Sequence, residues 1–442
     1  MKTHYFIATL ALGLCSQGVS GQDSLPSRER SILFCKPDAE VKEILQAAKA
    51  EEPGHIKAPA FVLKTSDNKF IMTIGGEINP ILGWDIGNDL YEQPGAGISF
   101  VTSAIPVPAQ RDHKADFYIN PINGSLDLQV VAFANTPDQL TGYVKAGTNG
   151  VNSQVMLQRA WLSYRNFTAG MKLTLFQDGY ACQPPTIDPQ GPSGCVSAVA
   201  YEVGYTSKSY NGFRFAAAID VPSYYSSNGY YRGKDYRKYD DTKVLTTNVA
   251  QLCPDIPVWV EYSWSKWNRI RLSGIYRHIS YRDLLNDRLR GTSGWGVMLS
   301  GNVQPAKPVI LYYQIAYGEG IGAYLQDIAG KPLSWIPSNS EPGRLKPTPM
   351  LGANFGVTVN ATDKLQFNAM FSESRIWDVD GYAKALPDDD NYKYALYGAV
   401  NCFYNFTSYL QLGVEYIWGH RQTWNKGGAH DNRIQTQLAF TF

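Results

Sequence analysis

The sequence predicts an all-β fold, a transmembrane antiparallel up-and-down β-barrel of about 16 strands, with a short N-terminal periplasmic helix. Three observations predict it. The chain ends on "NRIQTQLAFTF", in which Ile434, Leu438, Phe440 and Phe442 share one face and Arg433, Gln435, Gln437 and Thr441 the other, because strand side chains alternate. From about Asn68 onward, segments of roughly ten residues alternate apolar and polar positions, the length a tilted strand needs to cross a bilayer. The connections between them alternate short with long, as in barrels with tight periplasmic turns and long external loops.

The elements follow in chain order. Met1 and Lys2, the apolar "YFIATLALGLC" and the small "GVSG" read as a signal peptide over residues 1–21, cut after Gly21. A lipidated Cys15 is the weaker reading, because bulky Leu14 precedes it. Residues 22–67 form a periplasmic N-terminal segment. Its "DAEVKEILQAAKA" predicts a helix over 38–50, with Asp38 as cap and Val41, Ile44, Leu45 and Ala48 on one face. Pro37 and Pro53 bound it.

Residues 68–442 form the barrel. Its strands are predicted at 68–85, 113–121, 125–134, 153–165, 169–178, 196–207, 212–220, 255–265, 269–279, 292–304, 307–318, 350–359, 363–373, 391–405, 408–419 and 430–442. "PING", "RNFT", "SYNG", "SKWN", "QPAK", "NATD" and "YNFTS" supply the tight turns, rich in Asn, Gly, Pro and Ser. Long loops are expected at 86–112, 135–152, 179–195, 221–254, 280–291, 319–349, 374–390 and 420–429. In lipid every backbone donor needs a partner, so the last strand must close against the first. Both termini are then periplasmic. Phe442 on that strand resembles the signal read by the outer-membrane barrel-assembly machinery. An edge strand of a secreted β-protein is the competing reading. Tyr164, Tyr205, Tyr262, Trp264, Trp267, Tyr404, Tyr409, Tyr416 and Trp418 are candidates for the interfacial girdles, with carbohydrate stacking as their rival role.

Composition narrows the function. A mean hydropathy of −0.27 excludes a bundle of transmembrane helices. The net charge of +1 falls to zero once Lys2 is removed with the leader, so nothing points to nucleic acid. Five cysteines remain after the leader, an odd number without zinc-ligand spacing, so no metal or cofactor is expected. Cys182 and Cys195 flank one loop and are the candidate disulfide, two independent thiols being the alternative. No nucleophile elbow, His-Glu-x-x-His or phosphate loop occurs, which argues against an enzyme. An outer-membrane lipase would have to unite His278 with Ser263 or Ser273.

The inward faces carry the charge. In "NRIRLSGIYRHISYR", Ile270, Leu272 and Tyr276 share one face, which puts Arg269, Arg271 and Arg277 on the other. Arg159, Arg214, Arg421 and Arg433 are polar-face candidates by the same parity. Glu77, Asp127, Glu202, Asp220, Glu261 and Glu415 oppose them. Such a mixture either sets a transverse field that favours carboxylates and phosphates or pairs off and stiffens the wall. Parity assigns a face and not a depth, so both readings stand. The loop "YACQPPTIDPQGPSGCV" after the fifth strand is stiff with Pro, and by analogy with porins it folds inward to narrow the channel.

"LQRAWLSYRNFTAGMKLTLFQDGY" followed by "PPTIDPQGPSG" resembles the DcaP-like trimeric outer-membrane porins, as do "LGVEYIWGHRQTWN" with "DNRIQTQLAFTF" and "GEGIGAYLQDIAG". The resemblance spreads over most of residues 68–442. It implies a sixteen-stranded homotrimer in outer-membrane lipid that passes small anionic or polar solutes such as dicarboxylates, with Arg159, Glu415, Arg421 and Arg433 in the pore wall. It also implies an N-terminal coiled coil, but "EVKEILQAAKA" holds too few heptads to trimerise alone. The expected function is therefore an outer-membrane porin for passive diffusion. An adhesin or receptor acting through its external loops, above all the Tyr-rich 221–254, is the alternative.

Overall fold

The computed structural model describes residues 32–35, 39–48, 61–88, 90, 99–109, 114–120, 123–148, 155–222, 250–251, 253–283, 285–329, 331, 333–338, 340–341, 343–381 and 392–442. Within them, sixteen strands close an antiparallel barrel. β1 is Phe70–Ile78 and Ile81–Ile86, β2 is Asp116–Asn120 and Gly124–Ala132, β3 is Leu140–Thr148 and β4 is Val155–Tyr164. β5 (Phe167–Leu173), β6 (Val199–Thr206), β7 (Phe213–Pro222) and β8 (Ile256–Ser265) follow. Then come β9 (Asn268–Asp283), β10 (Arg288–Ala306), β11 (Val309–Glu319) and β12 (Pro349–Asn360). The last four are β13 (Leu365–Ile376), β14 (Tyr392–Asn405), β15 (Leu410–Thr423) and β16 (Gly428–Thr441).

Closure is made by β16 on β1. Gln437 pairs with Ile81 and Phe440 with Ile78, and Gly76 and Phe442 exchange two backbone hydrogen bonds of 2.9 Å each. A strand in lipid needs both neighbours, and this seam provides the last of them. Pairing in turn fixes which way side chains point. On β9, Ile270, Leu272 and Tyr276 are 40%, 49% and 45% exposed, whereas Arg269, Arg271 and Arg277 are 6%, 6% and 0% exposed. The barrel is apolar outside and polar inside. Tyr164, Tyr262 and Tyr404 stand exposed on the outer face near strand ends and Tyr416 at mid-strand, but Trp267 lines a cavity inside the barrel rather than a girdle.

The strand count agrees with expectation although its parts differ. Asp116–Asn120 and Gly124–Ala132 pair in one continuous order with Ile81–Ile86 and Phe70–Ile78, so they make one strand and not the two expected on either side of "PING". Pro80, which has no N–H, lies at the break between the two parts of β1. The missing strand is β3, inside the stretch expected as a loop at 135–152. Its outward face includes Gly142 and Ala146, too small to give a clear apolar stripe. The expected long loops at 280–291 and 420–429 are also short connections. β9 and β10 run to Asp283 and from Arg288, and β15 and β16 to Thr423 and from Gly428. Their polar residues lie on paired strands, so polarity there does not mark a loop. Most of 221–254 and the signal peptide expected over 1–21 lie outside the described residues.

One helix, α1 (Ala39–Ala48), precedes the barrel. Its Val41, Ile44 and Leu45 pack on Val62, Ile71, Val131 and Ala134. Ile71 and Val131 are inward positions of β1 and β2, so α1 rests against the inner wall at the end of the barrel where β1 begins. The capping role expected of Asp38 falls outside the described residues. No helix is long and apolar enough to cross a membrane, which says nothing of strands.

Gly76 is required at the seam. A Cβ there would lie 2.7 Å from both the Phe442 ring and the Ser125 carbonyl oxygen. Gly76→Val should therefore destabilise closure by about 1–3 kcal/mol. The expected readout is a lower fraction of heat-modifiable, folded barrel on gels, and an unchanged fraction would dismiss the steric argument.

Candidate constriction zone

Among the described residues three connections fold into the lumen, and each carries the side chains its wall site needs. Residues 100–107 place Phe100, Ile105 and Val107 on Met370, Tyr397, Ala399 and Ile417 of β13 to β15. The 174–198 loop spans the interior. Leu175 packs on Ala216, Ala218 and Trp259 of β7 and β8, while Ile187 reaches Ile81, Tyr118 and Phe403 on β1, β2 and β14. The 320–348 loop buries Ile321, Tyr324, Leu325 and Trp335 against Ile275, Met298 and Ala316. Among its residues, Trp335–Pro337 and Leu345–Pro347 form a two-stranded sheet.

The loops interlock through Asp327, Gln190 and Gln326. Asp327 accepts from Thr102 Oγ1 at 2.7 Å, from the Ser103 N–H at 2.8 Å and from Tyr392 OH at 2.8 Å. Gln190 Nε2 donates to the Gln326 carbonyl at 3.1 Å, and Gln326 Nε2 to the Gln190 carbonyl at 2.6 Å. Cys182 and Cys195 are joined by a disulfide, their Cα atoms 5.8 Å apart, which ties the two ends of the Pro-rich segment together. Cys253 and Cys402 are free.

Glu415 holds this loop to the wall. From β15 it accepts Thr186 Oγ1 at 2.6 Å, the N–H groups of Ile187 at 3.1 Å and Asp188 at 3.0 Å, Asn401 Nδ2 at 2.7 Å and Gln435 Nε2 at 2.8 Å. Asp188 continues the chain of acceptors with the Phe100 N–H at 3.0 Å and Tyr397 OH at 3.1 Å. Burial first, and then the nearby Glu415 charge, raise the Asp188 carboxyl to about 7, against the opposing pull of its N–H donors.

The arginines occupy wall positions with defined partners. Arg269 meets Asp178, Glu261 and Asn302 Oδ1, the last at 3.0 Å. Arg271 grips Glu261 at 2.9 and 2.8 Å and stacks 4.1 Å from the Trp259 ring, while Arg214 reaches the same carboxylate at 3.1 Å. Burial would raise the Asp178 carboxyl, but Arg269 and Arg271 outweigh it and hold the group below its usual range. Arg277 bonds Asp255 at 2.9 Å and the Gly320 carbonyl, between the rings of Tyr324 and Trp335. Arg433 takes Asp85 through two bonds of 2.5 and 2.8 Å. Arg421 donates to the Ile105 carbonyl at 3.1 Å, and Arg159, opposite Lys145, donates to the Gln158 carbonyl at 2.7 Å.

The zone therefore gathers Arg214, Arg269 and Arg271 around Asp178 and Glu261. Arg277 stands higher up the same wall, and Arg421 and Arg433 belong to the opposite wall. Asp188 and Asp327 escaped the sequence reading because they sit in loops, where no period assigns a face, and Asp178 because the strand expected over 169–178 ends at Leu173 and leaves it in the loop. "IDPQG" and "QDGY" held the one available cue, an Asp beside turn formers. His278 turns to the outer face, where its Nδ1 meets Ser293 Oγ at 2.8 Å, and Ser273 lies on the opposite face.

No protein-family model and no curated protein matches the chain. Solved structures do. The DcaP outer membrane channel of Acinetobacter baumannii matches with a TM-score of 0.67 and 16% identity over 86% of this chain and 99% of that one. OmpT of Vibrio cholerae matches with a TM-score of 0.51 and 10% identity over 85% and 98%. An anion-selective porin from Comamonas acidovorans matches with a TM-score of 0.50 and 8% identity over 84% and 100%. At these identities the likeness is one of fold, and the chain has the barrel of these outer-membrane channels. The resemblance carried by the two hairpins thus holds at the level of the fold.

Two outcomes follow for the anchored loop. Glu415→Ala strands two buried N–H groups and should destabilise the loop by about 2–4 kcal/mol, seen as faster hydrogen exchange over 186–191 than in wild type. Asp188 behaves as an acid whose folded pKa is raised. Its stabilising contribution is complete below the unfolded value near 4 and is lost as pH rises through about 7. The melting midpoint should fall between pH 5 and pH 8, and Asp188→Asn should flatten that fall; a fall unchanged in the variant would refute the assignment.

Proposed function

We propose that this chain is an outer-membrane porin, passing small hydrophilic solutes by passive diffusion and favouring anions such as dicarboxylates. The observation that carries the anion preference is the cluster below the 174–198 loop. Three guanidinium groups, Arg214, Arg269 and Arg271, face two carboxylates, Asp178 and Glu261, which leaves one positive charge in excess. Arg214 is the most exposed of the three at 22% of its side chain, so it meets solute first. The fold supports the reading, since the neighbours named above include an anion-selective porin. In the same proposal residues 1–21 direct export, Phe442 engages the assembly machinery, and the barrel works as a homotrimer with both termini periplasmic and neither catalysis nor cofactor.

The depth of loop packing favours a second reading. Three interlocked loops inside the barrel would suit a plugged adhesin or receptor whose external loops bind a partner.

Planar-bilayer recording separates the two. Three-step openings with an anion-shifted reversal potential under a salt gradient are expected of the porin. Arg214→Gln should shrink the anion-to-cation permeability ratio by roughly a factor of two, the scale of one partly screened charge. Silence from a verified, folded barrel would sink the porin reading and leave the receptor.

A further inference from the structure

Beneath the 174–198 loop, facing the periplasmic turns, lies a cavity of about 430 Å³. That volume falls at the small end of ligand clefts, which span ~300–1,000 Å³. Its position follows from its lining, since Trp267 belongs to the turn between β8 and β9 and Tyr312 lies near the start of β11. The disulfide Cys182–Cys195 forms part of its roof.

The chemistry of the lining is neutral. No Lys, Arg or Glu contributes to it, and its single Asp, Asp188, is engaged by the N–H groups of Phe100, Gln190 and Gly191 and by Tyr397 OH. An anion would find no cationic partner there. Three aromatic residues from separate elements, Tyr180, Trp267 and Tyr312, line the space, and Arg269 holds the Tyr180 ring from 4.9 Å. Between them stand side-chain amides. The reciprocal Gln190–Gln326 pairing commits an N–H of each but leaves both side-chain oxygens without a described donor. Gln183 lines the same cavity, half-buried, with no hydrogen-bond partner among the described residues.

Aromatic faces and fixed neutral amides suit a solute that offers C–H faces and hydroxyl groups together. Rings accept the apolar faces of such a molecule, and amides both donate to and accept from its hydroxyls. We propose that this cavity is a binding subsite for a neutral polyhydroxylated solute of mono- or disaccharide size, held on the periplasmic side of the constriction. The inference rests on the porin reading for its physiological sense. It adds to the arginine cluster, because the cluster acts on charge and the cavity on shape and hydroxyl pattern.

The test is saturation-transfer NMR on the folded full-length barrel in detergent, with maltose as probe and succinate as comparison. Transfer to maltose and not to succinate is expected. Trp267→Ala should weaken maltose binding about tenfold, and Gln183→Ala, on the loop instead of the wall, should weaken it independently, with folding checked by heat modifiability. No transfer to maltose, or binding that neither variant weakens, overturns the assignment. Conductance of the same preparation keeps the two readings apart. A conducting channel blind to maltose removes only the subsite, whereas a silent barrel that binds maltose removes only the porin.

Discussion

The structure depends on one constraint: a strand in lipid must have every backbone N–H and C=O paired, so the sheet has to close. Closure is reached where Phe442 and Gly76 exchange their backbone bonds, hundreds of residues apart in sequence. Once the circle is complete, strict alternation sorts the side chains. Leu438 and Phe440 turn to lipid while Arg433 and Gln435 turn inward. The polar interior is thus a consequence of the seam and not a separate design.

An interior populated by charge creates its own demand. A buried guanidinium or carboxylate without a partner is strongly unfavourable, and the strands alone place too few opposite charges at matching heights. The inward loops meet this demand. Asp178 enters the Arg269 and Arg271 sites from the 174–198 loop, and the Gly320 carbonyl completes the site of Arg277. The exchange is mutual, because Glu415 and Asp85 on the strands satisfy groups on the loops and on the neighbouring wall. Loops and wall form one hydrogen-bonded unit.

How far the sequence could be read follows from the same physics. Period two is visible wherever one face meets lipid, which is why β9 and β16 and the faces of their arginines were legible. β3 was not, since Gly142 and Ala146 expose little apolar surface. The ends of β9, β10, β15 and β16 were mistaken for loops because polarity outside the bilayer no longer reports pairing. For the constriction, parity told which arginines face inward but not who meets them. Asp188 meets Phe100 88 residues away and Asp327 meets Ser103 224 residues away, both through packing between loops, and no local pattern encodes that.

The helix α1 has a further consequence. α1 packs against the inner wall of β1 and β2, so this end of the barrel is not axially symmetric among the described residues. Its outer residues Glu40, Lys42 and Glu43 face away from the wall, one positive between two negative. The asymmetry of this end is set by ten residues that belong to no strand.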